Sequence, residues 1–217
     1  MKIFLDTADI EAVHKHIYTG VVEGITTNPT LIRKSGEDPE EVYKSLKNLG
    51  LNDISMEVVG TELNMIYEGK RLHQKFGNVA TIKVPCTREG LQACKLLREQ
   101  RINVNVTLVF SAAQALLAVK ANASYISPFV GRLDDNSFDG IQLIKDCAHV
   151  TMCTDTQVLA ASIRDVKSVM EAHYAGADIC TIPPSVLDKM YHHVLTEKGI
   201  EQFEKDYKEY NSNTAKK

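Results

Sequence analysis

The stretch VATIKVPCT, residues 79–87, is an apolar, β-branched run that contains one lysine, Lys83. Such a run, closed near its end by Pro85, is typical of a short buried strand. Burial disfavours the charged form of an amine, and a neutral amine can attack a carbonyl carbon. Lys83 is therefore a candidate Schiff-base nucleophile. On this stretch alone, an alternative stays open in which Lys83 ends the strand and extends its ammonium group to water.

Polar side chains also mark the carboxyl ends of the predicted strands. In chain order they are Asp6, Thr26 and Asn28, Glu57, Lys83, Thr107, Ser127 and Ser162, with Arg132 and Arg164 just beyond the sixth and seventh strands. In a parallel barrel these ends form one mouth, where the active site is built. Any one of these residues could be a solvated strand end. Their joint placement favours a catalytic role for Lys83.

Eight β-branched runs alternate with stretches of helical periodicity, which predicts eight strands that are each followed by a helix. The predicted strands span residues 2–6, 23–28, 53–60, 79–87, 103–110, 123–127, 156–162 and 177–183. A loop is predicted over 132–135. A last helix, capped by Thr196, is predicted to run to about Tyr210, before a polar tail that frays.

This order of elements predicts an α/β fold, a single (β/α)8 TIM barrel with an additional C-terminal helix. The barrel is expected over residues 1–195, with residues 196–217 as a C-terminal helix and frayed tail of the same domain. The structural rival is a doubly wound open sheet. That fold would be expected to carry a glycine-rich phosphate loop after an early strand, and the sequence has no such motif.

Composition narrows the class of protein. Twenty-five basic and twenty-eight acidic side chains give a net charge of −3, without long runs of either sign. This balance argues against a nucleic-acid partner or a membrane-surface protein. The start of the sequence lacks a signal-peptide core, and no apolar run approaches the ~18 residues that span a bilayer. The five cysteines are scattered as reduced thiols would be, so we expect a soluble, cytoplasmic protein.

Histidines offer no competing chemistry. All seven fall on predicted helices or near their ends, and no H-E-x-x-H pair is present. A metal-assisted mechanism is therefore unsupported by the sequence. We expect a lysine enzyme that uses no metal and no cofactor.

Successive motifs of the chain resemble those of the transaldolase family. They are LDTAD (5–9), GITTNPTLI (24–32), IKVPCT (82–87), VNVTLVFS (104–111), YISPFVGR (125–132), DGIQLI (139–144), VLAASIR (158–164) and AGADICTIP (175–183). The resemblance belongs to the short branch that includes the fructose-6-phosphate aldolase-like enzymes. It covers residues 2 to about 210 in order, and it implies the same (β/α)8 barrel.

The resemblance also implies roles for individual residues. Lys83 matches the Schiff-base lysine and Asp6 the base that takes the C4 hydroxyl proton, while Glu57 and Thr107 match the residues that hold the catalytic water. The predicted substrate-binding residues are Thr26, Asn28, Ser127, Phe129, Arg132, Ser162 and Arg164. Of these, Asn28 and Ser127 match groups that bind the dihydroxyacetone hydroxyls, and Arg132, Ser162 and Arg164 match the phosphate site. A surface ion pair is the alternative for either arginine.

Two positions bear on the reaction type. Aldolase-type members similar to this chain carry glutamine at the Glu57 position and tyrosine at the Phe129 position. The sequence has the other residue at both, which favours transfer of dihydroxyacetone over its release. A fructose-6-phosphate aldolase stays the alternative, and a sugar-phosphate-binding barrel without turnover is the remote one.

The C-terminal helix bears on assembly. Ile200, Phe203, Tyr207 and Tyr210 recur at three- and four-residue steps and form one apolar stripe. The resemblance implies that this helix reaches onto a neighbouring subunit, in rings of five that pair into decamers. The alternative is that it folds back across its own barrel.

Overall fold

The computed structural model describes residues 1–214 and contains a closed barrel of eight parallel strands. The strands are β1 Lys2–Asp6, β2 Gly24–Thr26, β3 Ile54–Glu57, β4 Ala80–Pro85, β5 Asn103–Val109, β6 Tyr125–Pro128, β7 Gln157–Ala160 and β8 Ile179–Ile182. Each strand pairs with the next, and β8 closes the barrel on β1. The (β/α)8 prediction is confirmed, and the doubly wound sheet was the wrong alternative.

Eleven helices surround or extend the barrel within the described residues. They are α1 Ile10–Ile17, α2 Pro29–Ser35, α3 Pro39–Asn48, α4 Glu62–Phe76, α5 Arg88–Arg98, α6 Ala112–Lys120, α7 Val130–Asp134, α8 Gly140–Thr151, α9 Val166–Tyr174, α10 Pro184–Met190 and α11 Val194–Thr214. Side-chain oxygens cap many helix starts. Asn28, for example, accepts from the Leu31 N–H, and Thr87 accepts from the Gly90 N–H. These caps begin helices a few residues after the strands and keep the connecting segments short.

Apolar side chains divide between two regions. The main core fills the space between barrel and helices, where the strand residues Ile25, Met56 and Val84 are fully buried. A smaller cluster inside the barrel, with Phe4 and Leu159, forms its floor. Apolar side chains fill the barrel interior at this floor. Polar side chains lie above it, at the carboxyl ends of the strands.

Two sequence expectations need correction. Residues 132–134, predicted as loop, belong to α7, whose first turns are held by backbone bonds from Val130 and Gly131 to the β7 side of the barrel. The last helix begins at Val194, not beyond a Thr196 cap, and continues through residues 211–214, which were predicted to fray. The remaining tail, 215–217, lies outside the described residues.

Helix α11 does not fold back across its own barrel. Every residue from 194 to 212 is exposed except the half-buried Gly199. Ile200, Phe203 and Tyr207 have exposed fractions of 53%, 74% and 66%. Within residues 1–214, no helix combines the length and apolar character needed to cross a bilayer.

Candidate active site

The carboxyl ends of the strands enclose a cavity of about 330 Å³. Its lining includes ten of the eleven site residues predicted from the sequence: Asp6, Thr26, Asn28, Glu57, Lys83, Thr107, Ser127, Phe129, Arg132 and Ser162. Arg164 is not among them. The cavity also takes in Pro29, Thr30, Leu108, Leu159, Ala161 and Thr181, which were not predicted.

Lys83 lies on the inner face of β4 and is only 5% exposed. Its Nζ donates to the Thr27 carbonyl oxygen at 3.0 Å and lies 3.1 Å from Glu57 Oε2. The register of the barrel sets this contact, because Glu57 and Lys83 are paired positions on β3 and β4. The alternative in which Lys83 extends its ammonium group to water is therefore wrong. The amine faces the cavity beside a carboxylate.

Asp6 ends β1 on the other side of the cavity. Its Oδ1 accepts a hydrogen bond from Thr26 Oγ1 at 2.8 Å. Burial raises the pKa of Asp6, and the charges of Lys83 and Arg132 and the Thr26 hydrogen bond offset this only in part. A carboxylate in this setting is a stronger base than an exposed one.

Hydroxyl and amide side chains complete the interior of the mouth. Ser127 Oγ donates to Asn105 Oδ1 at 2.7 Å, and the Asn105 amide donates onward to Ser55 Oγ at 3.3 Å. The Ser127 oxygen therefore stays able to accept from a ligand. Asn28 uses Oδ1 to cap α2, which leaves its Nδ2 as a donor. Thr107 Oγ1 is buried without a hydrogen-bond partner among the described residues.

A break in β5 brings Thr107 to the cavity. The pairing of β5 with β6 shifts register between Val106 and Val109. Leu108 has a φ of 58°, in the left-handed region that non-glycine residues seldom occupy. Such strain tends to cluster at functional sites. Here the bulge lets Thr107 and Leu108, neighbours in sequence, both line the same cavity.

Arg132 and Phe129 form the outer edge of the mouth. The guanidinium group lies over the Phe129 ring, 4.7 Å from its centroid, in a cation–π contact. Phe110 packs against the same Phe129 ring, with the two ring centroids 5.6 Å apart. Arg132 reaches the mouth of the cavity because α7 packs closely against the carboxyl end of β7. A side chain at Gly131 would collide with the Ser162 carbonyl oxygen at 2.4 Å.

Arg164 pairs with a carboxylate and is not part of the cavity lining. Its guanidinium forms a two-pronged ion pair with the Asp135 carboxylate, and both side chains are about half exposed. The neighbouring guanidinium holds the pKa of Asp135 below its ordinary value. This geometry is the surface ion pair that was the alternative interpretation of Arg164 from the sequence.

Among the cavity residues that were not predicted, Thr181 could have been found from the sequence. It lies near the carboxyl end of β8, as the only hydroxyl in ICTI. That is the position that singled out residues on the other seven strands. Asn105 and Ser55 are harder to find, because only the barrel register shows that Asn105 accepts from Ser127 and donates to Ser55.

The described part of the chain shows no metal centre or disulfide. No group of three or more histidine, cysteine, aspartate and glutamate side chains within residues 1–214 is spaced to hold a metal ion. All five cysteines are free thiols, and three of them are buried. Amine, carboxylate, hydroxyl and guanidinium groups line the described cavity.

Comparisons with known proteins agree with this architecture. A family model described as transaldolase/fructose-6-phosphate aldolase matches residues 3–215. A "Probable transaldolase" from Paracoccus denitrificans is 50% identical over 210 residues, covering 95% of this chain and 96% of the relative. Proteins of the same name from Nitrosopumilus maritimus and Lactiplantibacillus plantarum are 48% and 45% identical. They cover 95% and 97% of this chain, and 95% and 98% of their own lengths.

Proposed function

The chain belongs to the transaldolase/fructose-6-phosphate aldolase family, and from that premise we propose that it is a transaldolase acting through a Schiff base on Lys83. The proposed reaction moves a dihydroxyacetone unit from sedoheptulose 7-phosphate to glyceraldehyde 3-phosphate, giving erythrose 4-phosphate and fructose 6-phosphate. One observation carries the proposal. A nearly buried lysine lies 3.1 Å from Glu57 in a cavity that also holds Asp6.

Schiff-base formation requires proton transfers at Lys83. The neutral amine adds to the C2 carbonyl of the ketose phosphate, and the carbinolamine then loses water. Glu57 is within reach to accept a proton from the attacking amine and to return one to the departing hydroxyl through a water molecule. The unpartnered hydroxyl of Thr107 supports its assignment to that water.

Carbon–carbon cleavage requires a base at the other wall. Asp6 takes the C4 hydroxyl proton as the C3–C4 bond breaks, and the electron pair moves to the iminium nitrogen to give an enamine on Lys83. The aldose phosphate leaves, a second aldose phosphate accepts the three-carbon unit, and hydrolysis releases the product. The raised pKa of Asp6, caused by burial, supports this role.

Binding of the sugar is assigned to two sets of residues. Asn28 and Ser127, with Thr26 beside them, hold the dihydroxyacetone end deep in the cavity. Arg132 and Ser162, at the mouth, bind the phosphate, for which a guanidinium fork is well suited. Arg164 joins this site once it leaves Asp135.

Transfer is favoured over release by the residues around the enamine. Phe129 presents an apolar ring at the cavity and has no hydroxyl to help a water molecule protonate the enamine. The second candidate, a fructose-6-phosphate aldolase that releases dihydroxyacetone, keeps the same lysine chemistry. Phe129→Tyr and Glu57→Gln should each raise release relative to transfer. If both variants keep the parent's ratio, the argument for a transferase fails.

The central test is a trapping experiment. Borohydride reduction in the presence of fructose 6-phosphate should leave a mass adduct on Lys83, detected by mass spectrometry of the digested protein. Lys83→Ala should lose both adduct and activity and keep the fold. Full activity in that variant would remove the Schiff-base mechanism. A parent protein that binds sugar phosphates but is neither trapped nor active would be the non-catalytic barrel.

We also propose that the protein works as a homo-oligomer, in pentamer rings that pair into decamers. The exposed stripe of α11, with Ile200, Phe203 and Tyr207, supports this assembly, since it finds no cover on its own barrel. A helix that presents apolar side chains to water is marginal unless it packs against a partner. The neighbouring subunit is the proposed partner.

A further inference from the structure

The seam of the barrel places a second hydroxyl behind Asp6. Thr26 on β2 and Thr181 on β8 flank β1 on its two sides, and each is 2% exposed. Thr26 Oγ1 lies 2.8 Å from Asp6 Oδ1 and 2.7 Å from Thr181 Oγ1. Three side chains from three strands thus form one hydrogen-bonded row.

The direction of the row follows from the donor inventory. An ionised carboxylate only accepts, so Thr26 gives its single hydroxyl proton to Asp6. Thr26 then has only an acceptor to offer, and Thr181 must donate to it. Hydrogen bonds aligned head to tail polarise one another, so the second donor strengthens the first.

We propose that Thr181 is a positioning residue for carbon–carbon cleavage, acting on Asp6 through Thr26; this rests on the proposed function, in which Asp6 is the base. Thr181 fixes the Thr26 hydroxyl, and that hydroxyl occupies Asp6 Oδ1. Within the described residues no hydrogen bond reaches Oδ2, so Oδ2 is the oxygen that takes the C4 hydroxyl proton. The C3–C4 electron pair moves to the iminium nitrogen in the same step.

The charged groups that face Asp6 come from other elements. Lys83 on β4 and Arg132 on α7 favour the ionised form, whereas Glu57 on β3 adds a further negative charge to the cavity lining. Thr26 and Thr181, on the strands paired directly with β1, are both uncharged. The row is therefore the part of the Asp6 environment that can be altered without changing a charge.

The test is the pH profile of fructose 6-phosphate cleavage in Thr181→Val, which keeps the shape and removes the donor. Loss of a hydrogen bond of ~0.5–1.5 kcal/mol should slow cleavage roughly 2- to 12-fold on the acid side. It should move the acid limb up by roughly 0.4 to 1.1 pH units. Above the limb the rate should approach that of the parent, and borohydride trapping should be unchanged.

Three variants make the result specific. Thr181→Ser keeps the hydroxyl and should behave as the parent. Thr81→Val makes the same change at another buried threonine, near the amino end of β4, and should leave the limb in place. Thr26→Val removes the direct donor and should shift the limb at least as far, which tests the row even if Thr181→Val does not fold.

Several results would overturn the proposal. They are an unshifted limb in Thr26→Val or in folded Thr181→Val, a rate loss in Thr181→Val that is equal at every pH, or a Thr181→Ser defect that matches the valine variant. A parent protein that is not trapped by fructose 6-phosphate would refute the proposed function itself. If the parent protein is trapped and active, the variant results named above would refute only the role of the hydrogen-bonded row of Thr181, Thr26 and Asp6.

Discussion

Replacing Arg132 with leucine should weaken the binding of phosphorylated substrates and leave the binding of unphosphorylated ones nearly unchanged. The Arg132 guanidinium lines the cavity and is held over the Phe129 ring. No salt bridge engages it within residues 1–214, so its N–H donors are available to a phosphate. The variant deletes those donors and keeps much of the side chain's apolar volume.

The size of the effect follows from one charge-assisted hydrogen bond. Such a bond contributes ~1.5–3 kcal/mol, and each 1.4 kcal/mol corresponds to about tenfold in affinity. We therefore expect KM for fructose 6-phosphate to rise roughly 10- to 150-fold in Arg132→Leu. Phe129→Leu removes the cation–π contact, worth ~0.5–1 kcal/mol, together with the ring contact to Phe110, and should raise KM roughly 2- to 5-fold.

Arg164 provides the matched control. It must leave its half-exposed pair with Asp135 before it can reach a phosphate, and such exposed pairs are weak. Arg164→Leu should therefore raise KM less than Arg132→Leu does. Asp135→Asn, which releases Arg164, should lower KM roughly 1.5- to 5-fold.

The assay is initial-rate kinetics with fructose 6-phosphate as donor, repeated with dihydroxyacetone as an unphosphorylated donor. Equal losses on both donors in Arg132→Leu would refute a phosphate role for Arg132. A larger loss in Arg164→Leu than in Arg132→Leu would refute the ranking drawn from their different surroundings. Melting temperatures of each variant show whether the fold has changed.

Two further changes test the barrel floor and the C-terminal helix. Tyr125 donates to Asp53 Oδ2 at 2.6 Å, and burial raises the pKa of Asp53 above its unfolded value. This hydrogen bond is strongest where the carboxylate is ionised. Tyr125→Phe should cost ~1.5–3 kcal/mol of unfolding free energy at pH 8 in urea titrations. The difference from the parent should narrow as pH falls through the folded-state pKa of Asp53, and a difference constant with pH would assign the loss to packing. Truncation after Leu195 should dissociate the assembly in sedimentation and lower the melting temperature, whereas a decamer that survives would rule out the proposed role of α11.

The fold was predictable because each local signal agrees with the others. β-Branched runs gave the strands, and capping residues such as Thr87 gave helix starts that the structure keeps. The apolar run around Lys83 left its burial open, and the joint placement of polar residues at the other strand ends favoured a catalytic role; in the structure Lys83 is buried. The site lay where any (β/α)8 barrel would place it, at the carboxyl ends of the strands.

The departures have physical reasons that a single sequence does not carry. Helix α7 forms because its first N–H groups reach the carbonyls of Ala161 and Ser162, which lie on a strand end distant in sequence. The bulge at Leu108 depends on the β5–β6 register. Arg164 pairs with Asp135 across 29 positions of sequence, which no local pattern reveals.

Closure of the barrel by β1 on β8 sets the order in which the site is completed during synthesis. Lys2–Asp6 are made before the other seven strands, whereas their partners Ile179–Ile182 are the last of the eight strands to be made. Contacts of such large sequence separation form slowly, because the loop between them must first be ordered. The β2 to β5 side of the mouth, with Glu57 and Lys83, joins neighbouring strands and can assemble early. A nascent barrel thus holds Lys83, the proposed nucleophile, well before Asp6 gains the last of its supporting strands.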